Sequence, residues 1–194
     1  MRLFHIPGTR STRVLWMLEE IGAPYELTIM SREERQTGEH RGRHPLGRVP
    51  VLEDDDGFVF ESAALCLHLA DLHPRADLIP PPGTHERALA YQWTLFGMTE
   101  LEPAIIETRR GQDDPARAEA GAERFRVSVG PIEDALARHT HLVGDRFCVA
   151  DLVCGAVLIF AKSAGLTEGL PNTNDYLARL EERPARARAT QITS

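Results

Sequence analysis

The stretch from Gly47 to Asp71, GRVPVLEDDDGFVFESAALCLHLAD, decides how the first part of the chain folds. VPVLED (49–54) reads as a strand, Asp54-Asp55-Asp56-Gly57 as a hairpin turn, and FVF (58–60) as the returning strand. SAALCLHLADLH (62–73) follows as a strongly apolar helix. Two features need a reason beyond folding. Pro50 sits in the strand run although proline has no backbone donor. Glu61-Ser62 stands where the helix starts, where it serves either as a plain cap or as an anchor for a ligand.

Working outward, RLFHI (2–6) is a short strand and PGT (7–9) a turn. STRVLWMLEEIG (11–22) places Val14, Leu15, Leu18 and Ile21 at helical spacing, with Ser11 or Thr12 as cap and Gly22 as stop. APYELTIM (23–30) is a second strand, and 31–48 is polar, Arg-rich and weakly helical at most. Residues 1–75 therefore read β-α-β-α-β-β-α, which implies a crossover unit and a hairpin in one mixed four-stranded sheet.

Three consecutive prolines (80–82) and Gly83 mark a rigid linker. Beyond it no strand is expected. Long helices are predicted at 85–110, kinked near Pro103, and at 113–140, bent near Gly130-Pro131. The run 149–165 is apolar almost all round and suits a buried central helix. A surface helix follows at 172–189, broken at Pro184, and the Arg-rich tail RPARARATQITS reads as a solvated end. The expected fold is an α/β domain at 1–78 joined to an all-helical domain at 84–194.

The 194 residues are 42% hydrophobic, enough for such cores, and carry a formal net charge of -7. The acidity is spread along the chain, which argues against a nucleic-acid partner. Cys66, Cys148 and Cys154 form no CxxC pair, so a reducing compartment is expected rather than a disulfide framework. No leader-like segment and no run of 18 apolar residues is present, so a cytoplasmic protein without a membrane partner is expected. His68 with Asp71, and His139 with His141, make no convincing metal set, and no metal is assigned.

With these elements in order, the chain resembles the cytosolic glutathione transferases over nearly its whole length. STRVLWMLEEIGAPYEL resembles their first helix and second strand, and HPLGRVPVLEDDDGFVFESAAL their glutathione-site core. LVGDRFCVADLVCGAVL resembles the motif that opens their buried helix, although Cys148 stands where Ser or Thr is usual. The resemblance implies a thioredoxin-like N-terminal domain and a helical C-terminal domain. It implies a homodimer acting in detoxification, with glutathione as co-substrate and no metal.

The resemblance also assigns roles. Pro50 would be cis, leaving the Val49 N–H and C=O at the sheet edge to pair with glutathione as an added strand. The alternative is a proline that only protects an edge strand. Ser62 and the free N–H groups of its helix would bind the γ-glutamyl carboxylate, and Glu61 the ammonium. The alternative for Ser62 is a simple N-cap. His40, or one of Arg35, Arg43 and Arg48, would meet the glycyl carboxylate.

The chemistry needs the glutathione sulfur as thiolate. The loop HIPGTRSTR (5–13) holds no Tyr or Cys, and Arg10 stands where beta-type members carry cysteine. Ser11 is the first candidate donor, with Thr9 behind it and Arg10 as an electrostatic contributor. Ser11 as a mere helix cap stays open. Arg13 is expected to support the site or the interface. A small hydrophobic electrophile would sit between IPGTR and the helix at 85–110, near Tyr91, Leu95, Phe96 and Met98, with Trp16 either beside it or in the core. Two other readings stand beside the transferase: a catalytically weak or inactive interaction and assembly module, and a glutathione-dependent isomerase, dehalogenase or peroxidase.

Overall fold

The computed structural model describes residues 1–111 and 113–192. The first part contains β1 (Arg2–His5), α1 (Ser11–Ile21), β2 (Glu26–Ile29), α2 (Gly38–Arg43), β3 (Val51–Asp54), β4 (Gly57–Phe60) and α3 (Ser62–Leu72). The element order is the one read from the sequence. The sheet runs β2-β1-β3-β4, with β1 and β2 parallel and the other neighbours antiparallel. The crossover through α1 makes the parallel pair, and the Asp-rich turn makes the hairpin. Leu3, Val14, Leu15, Leu18, Leu52, Leu65 and Leu69 are buried between the sheet and the helices α1 and α3. Gly22 ends α1 in the left-handed conformation that glycine adopts without strain.

The second part contains α4 (His85–Phe96), a π-helical turn (Gly97–Leu101), α5 (Glu102–Arg110), α6 (Pro115–Leu136), α7 (Val149–Lys162), α8 (Pro171–Glu181) and α9 (Pro184–Gln191). The break expected near Pro103 lies earlier, in the π turn. Pro103 sits in the first turn of α5, where its missing N–H leaves no bond unmade. Gly97 opens the π turn against α7, and a Cβ there would stand 2.6 Å from the Cys154 sulfur. Helix α6 runs unbroken through Gly130-Pro131.

Helix α7 is the buried centre that its composition predicts: Val149, Leu152, Val153, Val157 and Leu158 are all inaccessible to solvent. Asp151 closes its first turn by accepting from the Cys148 N–H at 2.9 Å, and the Cys148 sulfur faces the Asp151 N–H. The carboxylate also accepts from the Leu142 N–H at 2.9 Å and the Tyr176 hydroxyl at 3.0 Å. Helix α8 is therefore no plain surface helix, because Thr173, Tyr176, Leu177 and Leu180 all face inward.

By packing, the chain forms one unit of Met1–Asp77 with α9 and a second of Leu78–Glu182. The tail is not a solvated end. In the first unit α9 lies on α1, where Arg183 grips Glu20, Arg188 grips Glu19 and Arg186 lies over Trp16. Trp16 is buried in that unit and donates its indole N–H to Glu20 at 2.8 Å.

Among the described residues no helix is long and apolar enough to cross a membrane.

Candidate functional site

The sheet register brings the singled-out residues of the first unit to one end. Phe4 faces Val51, and Val51 faces Phe60. The loop after β1, the Val49-Pro50 bond before β3 and the Glu61-Ser62 pair after β4 therefore leave the sheet together. Val49-Pro50 is cis. The strand that follows is not an edge: β3 is paired with β1 on one side and β4 on the other. Edge protection is thus no account of Pro50, and Val49 extends past the end of the ladder rather than along an edge.

Glu61 has φ of 77°, rare for a residue with a side chain, and it stands at the N-cap of α3 with no side chain capping the helix. Ser62 is the first helical residue, so the simple N-cap reading does not hold. Its hydroxyl is buried and hydrogen-bonds to nothing among the described residues. The start of α3 therefore offers uncapped N–H groups and an unpartnered hydroxyl together, which is the equipment for holding a carboxylate.

The approach to Pro50 is built by two histidines. His40 is buried and its Nε2–H donates to the Arg48 carbonyl at 2.8 Å. It braces the loop and presents no ring to a ligand, contrary to its expected role at the glycyl carboxylate. His44, which the sequence did not single out, is buried against the Phe60 ring and accepts from the Leu46 N–H at 3.1 Å. Gly47 completes the turn with φ of 57°, and a Cβ there would stand 2.7 Å from the Arg35 carbonyl oxygen. Arg43 is spent on Phe4, which its guanidinium covers at 4.4 Å, and on Glu39. Arg48 is exposed beside Val49.

In the loop after β1, Ser11 is fully buried. Its Oγ lies 2.7 Å from His5 Nδ1, 2.8 Å from Thr9 Oγ1 and 3.2 Å from both the Ile6 N–H and the Ile6 carbonyl. Such a hydroxyl is in the wrong place to meet a ligand. Nor is Ser11 the helix cap, since Arg10 holds that position. Thr9 is half-buried, donates to the Ile6 carbonyl at 2.7 Å and reaches closer to the surface; Arg10 is exposed. Arg13 is buried, and the Cys66 thiol faces its carbonyl at 3.8 Å. All three cysteines are buried, and burial pushes Cys66 and Cys148 up to about 12, which keeps both as unreactive thiols.

In the second unit, Tyr91 and Leu95 are exposed on α4. Arg87 fixes the Tyr91 ring by donating to its hydroxyl at 2.7 Å.

Residues 1–71 match the family model for the glutathione S-transferase N-terminal domain, and residues 87–184 match that for its C-terminal domain. The chain belongs to the glutathione S-transferase family. A relative from Zea mays, glutathione S-transferase 4, is 30% identical, with 93% of this chain and 87% of the relative covered. A bacterial glutathione transferase solved as a ternary complex, BphK, superposes with a TM-score of 0.91 at 25% identity over 100% of this chain and 99% of that one. A sphingomonad glutathione S-transferase complexed with glutathione superposes with a TM-score of 0.89 at 26% identity, covering 100% and 98% of the two chains.

Proposed function

We propose that this transferase-family chain binds glutathione at the end of the first unit's sheet and presents its sulfur, as thiolate, to a small apolar electrophile. The observation that carries the reading is the buried, unpartnered Ser62 hydroxyl at the uncapped start of α3. A buried hydroxyl without a partner is costly, and an arriving carboxylate accepts from it and from the helix N–H groups together. Glu61 takes the ammonium beside that carboxylate. The Val49 backbone pairs with the peptide part of the ligand, and Arg48 takes the far carboxylate in place of His40.

Glutathione supplies the nucleophile, a sulfur that forms a bond to an electrophilic carbon as the leaving group departs. This chain's part is to keep that sulfur ionised. The start of α1, the Thr9 hydroxyl and the Arg10 charge all favour the anion.

The protein works as a homodimer, for which Phe58, Val59 and Phe60, exposed on the edge strand β4, are apolar enough to be covered by a second copy. Its three cysteines are thiols rather than disulfides, which suits the cytoplasm. The test is turnover of an activated aryl halide with glutathione, compared between the wild type and Ser62→Ala. Glutathione-dependent turnover that falls in the variant supports the reading. No glutathione-dependent turnover with any of several electrophile classes contradicts it.

A further inference from the structure

We propose that His5 and Ser11 form a buried relay that turns the Thr9 hydroxyl into an obligate donor toward the ligand sulfur; the inference rests on the glutathione reading above. His5 is fully buried, its Nδ1 lies 2.7 Å from Ser11 Oγ, and its Nε2 is buried with no partner among the described residues. An orphaned N–H costs more than a bare lone pair, so the proton belongs on Nδ1 and points at Ser11. Ser11 Oγ then accepts twice, from His5 and from the Ile6 N–H at 3.2 Å. Both its lone pairs are used, and its own proton goes to the nearer of its two acceptors, Thr9 Oγ1 at 2.8 Å, rather than to the Ile6 carbonyl at 3.2 Å, which already takes the Thr9 proton at 2.7 Å.

Thr9 Oγ1 also accepts from the Ser11 N–H at 3.3 Å. Both its lone pairs are filled as well. All that Thr9 has to offer a newcomer is its proton, which rests on the Ile6 carbonyl at 2.7 Å. A thiolate arriving at the start of α1 takes that bond over, and the chain His5 to Ser11 to Thr9 to sulfur runs in one direction. Aligned hydroxyls polarise one another, so each link strengthens the last. The thiol proton leaves to solvent, and no member of the relay changes its protonation state. Burial holds His5 down at about 4, so the imidazole is neutral throughout the working range. In this scheme Thr9 touches the sulfur, while Ser11 and His5 are positioning residues.

The test follows the ultraviolet absorbance of the bound thiolate against pH in the glutathione complex, with S-methylglutathione affinity as a probe of the site that needs no thiol. The variants are Thr9→Val, Thr9→Ser, Ser11→Ala, His5→Leu and His5→Asn, the last keeping an N–H near the Nδ1 position. The relay predicts that Thr9→Val raises the thiol pKa by about one unit. Ser11→Ala and His5→Leu should raise it by less, and Thr9→Ser and His5→Asn should leave it near the wild-type value. S-methylglutathione should bind all five alike. If Thr9→Val has no effect on the thiol pKa, or has one while Ser11→Ala and His5→Leu have none, the relay is overturned. If the wild type binds neither glutathione nor its S-methyl derivative, the glutathione reading itself fails.

Discussion

Arg183 holds the Glu20 carboxylate at two points, with Nε 2.6 Å and Nη2 2.8 Å from its two oxygens. The Glu20 side chain is only 8% exposed, so the pair is partly withdrawn from water. Removing the arginine leaves a mostly buried carboxylate that still accepts from the Trp16 indole N–H. Arg183→Ala should therefore destabilise the protein by about 1–2 kcal/mol, against less than about 1 kcal/mol for the more exposed Arg188→Ala. Urea unfolding of both variants checks this, and equal small effects would mean that α9 is held by its apolar contacts alone.

Asp151 is the larger structural risk. Its carboxylate accepts from Leu142, Cys148 and Tyr176, and burial pushes its pKa up despite those bonds. A helix cap alone is worth about 0.5–2 kcal/mol. Asp151→Ala also strands the Leu142 N–H and leaves the Tyr176 hydroxyl only its longer bond to the residue-151 carbonyl at 3.3 Å, so the loss should reach about 2–4 kcal/mol. Thermal unfolding within a few degrees of wild type would show that these groups find other partners.

Gly47→Ala is predicted to harm the loop before Pro50 for two reasons: its positive φ and the Arg35 carbonyl at 2.7 Å from the added Cβ. The carbonyl is backbone and cannot swing aside. A loss of about 1–3 kcal/mol and a weaker grip on glutathione are expected. Unchanged stability together with unchanged affinity would count against the role given to this turn.

Stability should depend on pH through His5. Its folded pKa lies at about 4, lowered by burial, while the unfolded value is near 6.5. Between those values the unfolded chain binds a proton that the folded chain refuses, so stability rises with pH. It is full above about pH 6.5 and declines toward pH 4, by on the order of 3 kcal/mol. Chemical denaturation across this window should show a steeper slope for the wild type than for His5→Asn. Equal slopes would place the titration elsewhere.

The sequence carried the element order well, because apolar period, the Asp-Gly turn and the Gly22 stop are all local signals. Pro50 and Glu61-Ser62 stood out for a similar reason: each breaks a local rule, and the backbone is unusual at both places, with a cis bond at Val49-Pro50 and a positive φ at Glu61. Orientation was not legible. Ser11 and His40 have the right chemistry but face inward, and spacing says nothing of which way a loop side chain turns. His5 looked like one more residue of a strand, because its partner lies across a turn. The Arg-rich tail misled because Glu19 and Glu20 are far away in sequence. The π turn left no signal beyond Gly97, whose need for space comes from Cys154 on another helix.

The most direct measurement is a calorimetric titration of glutathione into the wild type and Ser62→Ala, with thermal unfolding of both proteins in its absence. Ser62 Oγ has no partner among the described residues, so the alanine should leave the free protein as stable as wild type, or slightly more so. The same change should weaken glutathione binding by about tenfold or more, the worth of a charge-assisted hydrogen bond. Equal affinity for the two proteins, or no binding to either, would contradict a glutathione site at the start of α3.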